Sequence, residues 1–157
     1  MKRMIKVFLP IIMLSFVEFT STAQPAGTYI SEDAQEAYVK YGEEYGICPE
    51  LLMAMIELES SGRPDAESGG CKGLMQISDR WHKDRMERLE VTDIYDVDGN
   101  IHVGADYLAE LFGKYEDVEI VLMVYHGEKD AANKEKLSSY ADWILTRSAE
   151  LERMNGK

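Results

Sequence analysis

The sequence predicts a mainly α-helical domain with at most two or three short strands, and three observations carry that expectation. Apolar residues recur three and four positions apart in successive stretches between Ser31 and Arg153. Residues suited to helix ends stand at the borders of several of these stretches. No alternation of apolar and polar residues is long enough to demand a sheet.

The elements follow in order. Ser31 can cap a first helix running to about Tyr45, with Ala34, Tyr38, Tyr41 and Tyr45 on one face and Gly46 closing it. Pro49 suits the first turn of a second helix ending near Ser60. The stretch from Ser61 to Cys71 is rich in Gly, Ser and Pro and reads as a loop. Short strands have room only between Ser68 and Ile77. A helix is expected over Asp79 to Leu89, with Trp81, Arg85 and Leu89 sharing a face. Asn100 is placed as the cap of a helix to about Tyr115, carrying Ile101, Ala105, Leu108 and Phe112 inward. Val118 to Tyr125 is apolar except for Glu119 and reads as a buried helix. A last helix runs from Leu137 to about Arg153, with Leu137, Tyr140, Ile144, Leu145 and Leu151 at helical spacing.

The first residues read differently. Lys2, Arg3 and Lys6 precede an apolar run, Val7 to Val17, and Ser21 and Ala23 are small residues where a signal peptidase reads. Residues 1–23 are therefore expected to be a signal peptide, 24–30 a linker and 31–157 the domain. The apolar run is shorter than the roughly 20 residues that span a bilayer. An uncleaved N-terminal anchor is the alternative, and either one places the domain outside the cytoplasm. The signal region holds no cysteine, which argues against a lipoprotein.

At 157 residues the chain can bury a real core. Cleavage after Ala23 would turn 17 basic and 29 acidic residues into 14 and 28, a net charge near −14. That excess of acid argues against nucleic acid, where Lys and Arg contacts to phosphate supply most of the affinity. It argues equally against stable insertion in or binding to an anionic membrane, whereas a glycan remains compatible. Cys48 and Cys71 could bridge in an exported protein, but Cys48 starts the second helix and Cys71 follows the loop after its far end; the helix ends are roughly 16 Å apart, so the loop would have to fold back along the helix.

The second helix is the informative one. Leu52, Met55, Ile56 and Glu59 fall on one face at i, i+3, i+4 and i+7. Glu59 thus continues an apolar face in the last turn, while Glu57 lies on roughly the opposite side. A carboxylate among apolar neighbours has its charged form disfavoured and its pKa raised, which suits a general acid. The plain alternative is that Glu59 snorkels at a helix end or pairs with Arg63. Other features lead less far. Trp81 and His82 suit a sugar platform as well as Trp81 suits a core. Asp96 to Asn100 fails as a calcium loop, because Gly99 at the sixth position puts Ile94 at the first and Ala105 at the twelfth. His82, His102 and His126 are too scattered for a zinc motif, and no cofactor is called for.

Glu59-Ser60, then Gly62-Arg63-Pro64-Asp65-Ala66-Glu67-Ser68, then Gly73-Leu74-Met75-Gln76-Ile77 resembles the signature of the lytic transglycosylase SLT family. Asn100-Ile101, Gly104-Ala105 and Tyr107-Leu108 agree, as do Leu122 to Tyr125 and Ser139-Tyr140-Ala141. The resemblance covers residues 32 to 152. It implies a lysozyme-like helical fold and an exported or wall-associated enzyme, monomeric and acting on peptidoglycan glycan strands. It also implies cleavage of the N-acetylmuramic acid to N-acetylglucosamine bond, giving 1,6-anhydro products. Glu59 would be the single catalytic acid and base, and Ser68, Met75, Gln76, Tyr125, His126 and Tyr140 would bind substrate. This chain departs from the pattern at Val124-Tyr125-His126-Gly127-Glu128, where the family has Ala-Tyr-Asn, so His126 stands at the place of a sugar-contacting asparagine. The stretch from there to Ser138 is polar and short, and the loop from Ser68 to Gly73 is about a residue tighter than the pattern. Two other readings stay open: a goose-type hydrolase using Asp65, Glu67, Asp96 or Asp98 to hold water, and a glycan-binding protein without turnover.

Overall fold

The computed structural model describes residues 29–131 and 138–157. The expected signal and most of the linker, together with Leu137, lie outside the described residues. The order is α1 (Glu32–Tyr45), α2 (Pro49–Ser60), β1 (Glu67–Ser68), β2 (Cys71–Lys72), α3 (Lys83–Arg88), α4 (Val97–Lys114), α5 (Val118–Tyr125) and α6 (Ser139–Met154).

The helix ends show why α1 and α2 form where the sequence places them. The Ser31 hydroxyl accepts from the Ala34 N–H at 3.3 Å, and Gly46 closes α1 at φ 67°. Pro49 opens α2, where its missing N–H has no partner to lose. Ser61 ends α2 in the left-handed region at φ 54°, and the Ser61 and Gly62 N–H groups return to the carbonyls of Glu57 and Ile56. Glu59 is thereby fixed in the last turn.

α2 is the hub. It packs against α1 and α6, α1 lies on α4, and α5 contacts both α4 and α6. Every residue from Glu50 to Glu57 is buried, so α2 has no solvent face along most of its length. Leu52, Met55 and Ile56 meet a core that includes Leu74, Met75, Ile77, Ile101, Leu108, Leu122 and Ile144. Glu57, on the side away from Glu59, is also buried, and it takes two hydrogen bonds from Arg147 of α6, at 2.6 and 3.0 Å. At the other end, burial pushes the Glu50 carboxyl up, but hydrogen bonds from Cys48, Lys157 and Asn155 outweigh it and hold it down at about 2.

Several details correct the sequence expectations. α3 begins at Lys83, not Asp79, so Trp81 precedes the helix and is 79% exposed rather than core. α4 begins at Val97, and its cap is Asp96, whose carboxylate accepts from the Gly99 N–H at 2.8 Å. Asn100 is instead a buried strut: its Oδ1 accepts from the Met75 N–H at 2.8 Å, and its Nδ2 donates to the carbonyls of Ile94 and Lys72 at 2.8 and 3.0 Å. The strands form a hairpin pairing Glu67 with Lys72 and Ser68 with Cys71, across Gly69 and Gly70 at φ 59° and 85°. Positive φ at both central residues is what a tight primed turn requires. Cys48 and Cys71 are free thiols. No helix among the described residues is long and apolar enough to cross a membrane.

Candidate active site

Glu59 is half-buried, and its Oε1 accepts a hydrogen bond from the Tyr140 hydroxyl at 2.5 Å. Burial raises its pKa above the ordinary carboxyl value. The Tyr140 hydroxyl and the charge of His126 oppose that rise without cancelling it. Tyr140 is itself buried, and burial together with the Glu59 charge raises its pKa far above the ordinary range. It therefore stays a phenol and a donor. The His126 ring stacks on Tyr140, with centroids 4.0 Å apart and planes 17° apart. Arg63, the alternative partner for Glu59, donates from Nε to the Ser60 carbonyl at 3.2 Å.

The segment after the hairpin is held from two sides. The Asn100 strut fixes the Met75 N–H, and the Tyr125 hydroxyl donates to the Met75 carbonyl at 2.9 Å. The Met75 side chain is fully buried against Gly104, where an added Cβ would lie 2.5 Å from its sulfur. Gln76 sits at φ 49°, and its amide nitrogen donates to the carbonyls of Gly73 and Ala66 at 3.0 and 3.2 Å. The positive φ at Gln76 turns the chain sharply, and the side chain ties that turn together.

A cleft of about 580 Å³ runs beside these residues. Its lining includes Cys71, Gln76, Tyr125 and His126, together with Trp81, His82, Arg85 and Glu110. The charge of Glu59 acts on Cys71 and on Tyr125, which ties the cleft to the carboxyl group. Along the wall, ring centroids are 4.6 Å apart from His82 to Tyr107 and 5.3 Å from Tyr107 to Tyr125. Arg85 lies 5.2 Å from the Tyr107 centroid and pairs with Asp106 and Glu110.

Of the residues singled out from the sequence, the structure brings Glu59, Gln76, Tyr125, His126 and Tyr140 together. Met75 contributes its backbone there, not its side chain. Ser68 is exposed on the hairpin and does not line the cleft. Sequence reasoning missed Cys71 and Arg85 as cleft residues. Tyr107 stood in a recognised block, but nothing in its spacing set it apart from a core tyrosine. Among the described residues no group of three or more His, Cys, Asp or Glu could hold a metal ion.

Comparisons with known proteins point one way. Residues 36–144 match the family described as Transglycosylase SLT domain. A protein named transglycosylase from Enterobacteria phage PRD1 is 40% identical over 104 residues, covering 65% of this chain and 38% of the phage protein. The membrane-bound lytic murein transglycosylase F of Desulfosudis oleivorans is 36% identical over 81 residues, covering 51% of this chain and 17% of its own. The chain thus spans well under half the length of either relative. Among solved structures, an inactive mutant of the lytic transglycosylase Slt from Pseudomonas aeruginosa superposes with a TM-score of 0.67 at 18% identity, over 78% of this chain and 24% of that one. At that identity the likeness speaks for the fold alone.

Proposed function

The chain belongs to the transglycosylase SLT family, with its lysozyme-like helical fold, and on that premise we propose that it is an exported lytic transglycosylase of peptidoglycan with Glu59 as acid and then base. The observation that supports it most is a carboxyl of raised pKa, fixed at the end of a buried helix and facing one hydroxyl donor. Protonated Glu59 gives its proton to the glycosidic oxygen between N-acetylmuramic acid and N-acetylglucosamine, and the bond to C1 breaks. The resulting carboxylate takes the proton of the muramyl 6-hydroxyl as that oxygen closes on C1, leaving a 1,6-anhydro ring. The Tyr140 hydroxyl binds the charged carboxylate more strongly than the neutral acid, so it favours the first proton transfer as it proceeds. Gln76, Tyr125 and His126 position the sugars, and the Met75 carbonyl holds the Tyr125 hydroxyl in place.

The substrate's own hydroxyl replaces the second carboxylate of ordinary glycosidases. The acids considered for holding a water support this economy. Asp98 is bonded to Tyr41 at 2.6 Å and to Lys40 at 3.2 Å, Asp96 caps α4, and Glu67 accepts from Tyr95 at 2.9 Å. None of these, nor Asp65, lines the cleft. A hydrolytic reading would turn instead to Glu128, whose charge acts on Tyr140.

Digestion of insoluble peptidoglycan with mass analysis of the released fragments decides among the readings. Anhydro-muropeptides are expected. Fragments heavier by one water would show a hydrolase, with Glu128→Gln then expected to abolish turnover. Retention on the wall with no release would show a binding protein.

A further inference from the structure

His126 makes a contact that a residue serving only the cleft would not need. It lines the cleft, and the same ring lies nearly parallel to Tyr140, with centroids 4.0 Å apart and planes 17° apart. Tyr140 in turn donates its hydroxyl to Glu59 Oε1 at 2.5 Å. The three side chains therefore stand in a row, imidazole on phenol and phenol on carboxyl. Each comes from a different element: His126 closes α5, Tyr140 lies in the first turn of α6 and Glu59 in the last turn of α2. The backbone that delivers the imidazole is itself tied down. The His126 and Gly127 N–H groups return to the carbonyls of Leu122 and Val124, both at 3.0 Å, and the Glu128 N–H to that of Met123 at 2.9 Å. His126 is exposed, so no crowded core forces its ring onto Tyr140. The asparagine of the family pattern has no ring to lie there, so the stack comes with this chain's departure from that pattern.

We infer that His126 is a positioning residue for the acid: its ring holds the Tyr140 phenol so that the hydroxyl stays on the Glu59 carboxyl. The inference rests on Glu59 being the acid of the proposed cleavage, and it gives His126 a task apart from meeting a sugar. Two rings at this spacing attract, which narrows the range the phenol explores. A hydroxyl held on a carboxyl favours its charged form, and the positive charge the imidazole can carry works in the same direction. The neighbours of the row are Tyr125 of α5, Cys71 of the hairpin and Glu128. Burial raises the pKa of Tyr125, Cys71 and Tyr140, so these three stay protonated while the carboxyl titrates. Glu128, whose charge acts on Tyr140, is the same in every variant below.

Carbon-13 NMR of protein labelled in its glutamate carboxyls reads Glu59 without any turnover, its signal assigned by its absence from Glu59→Gln. His126→Ala is expected to move the Glu59 titration to higher pH. His126→Asn should move it as far, even where it keeps the rate at the optimum, because an amide can meet a sugar but cannot stack. His126→Phe restores a ring without the charge and is expected to bring back part of the parent titration. In a Tyr140→Phe background no hydroxyl is left to hold, so His126→Phe and His126→Ala should titrate Glu59 alike. A titration that His126→Ala leaves in place or lowers overturns the inference, as does one that His126→Phe and His126→Ala shift equally. So does a difference between those two variants that survives loss of the Tyr140 hydroxyl. The two readings fail separately. A parent that releases no fragments while His126→Ala still moves the titration loses only the cleavage. A parent that releases anhydro fragments with a titration indifferent to His126 loses only the positioning role.

Discussion

Glu59→Gln separates the proposed chemistry from architecture, because Glu59 faces Tyr140 while Glu57, also on α2, is held by Arg147. The amide that replaces Glu59 keeps an oxygen to accept from Tyr140 but can neither give nor take the catalytic proton. General acid–base catalysis contributes on the order of 10²–10⁴ in rate, and the variant is expected to lose about that much. Its melting temperature should stay within a few degrees of the parent or rise, because the replaced carboxyl is held in burial that disfavours its charge. Glu57→Gln, two residues earlier, does the reverse. The Glu57 side chain is 5% exposed and Arg147 20%, so the change leaves a partly solvated guanidinium without its anion. Complete burial of such a charge would cost about 3–5 kcal/mol, and the partial exposure of Arg147 brings the expectation to about 1–3 kcal/mol. In a domain of this size that lowers the melting temperature by roughly 3–12 °C. The assay is fragment release from peptidoglycan well below both melting temperatures, alongside thermal melts of the same preparations. Turnover by Glu59→Gln above a tenth of the parent rate would refute the assignment. So would loss of turnover in a Glu57→Gln protein shown to be folded at the assay temperature.

Tyr140→Phe removes the hydroxyl that lowers the Glu59 pKa, so the acid stays protonated to higher pH and the alkaline limb of kcat/KM should move upward; a limb that stays put or moves down denies the contact its role. His126→Ala is expected to lose about two- to tenfold in activity, the worth of one hydrogen bond, while His126→Asn retains or improves it; equal kinetics for all three proteins would place this side chain outside substrate contact. Asn100→Ala strands the buried Met75 N–H and two carbonyls, and should cost about 2–4 kcal/mol by denaturant unfolding. Glu50, held at about 2, gives stability that is complete above its unfolded value near 4.5 and lost as pH falls toward 2, so Glu50→Gln should flatten the acid side of the stability profile. N-terminal sequencing of exported protein is expected to begin near Gln24, and a full-length chain in the membrane fraction would show an anchor.

What the sequence made legible was local. Ser31, Gly46, Pro49 and the apolar run from Val118 act on their own neighbours, and α1, α2 and α5 begin and end where those residues put them. The face of α2 that points Glu59 inward was legible for the same reason. Contacts across long loops were not. Nothing near Asn100 distinguishes a helix cap from a strut, because the atoms that decide it belong to Lys72, Met75 and Ile94. Glu57 looked like a bystander because Arg147 stands ninety residues away. Trp81 fitted the spacing of a helix that in fact starts two residues later, since α3 is short and has no side-chain cap to announce it. The hairpin was read only as a loop with room for short strands, because two-residue strands are too short to show alternation.

Tyr140 and Arg147 are seven residues apart on α6, two turns along one face, and they meet Glu59 and Glu57 of α2. The two helices are therefore locked in register by two bonds of different purpose, one to the carboxyl proposed to carry the proton and one to a buried anion. A slip of α6 by a single turn would break both at once. Heat inactivation and loss of tertiary structure should consequently share one midpoint, because the acid cannot be disarmed by α6 while the fold stays whole.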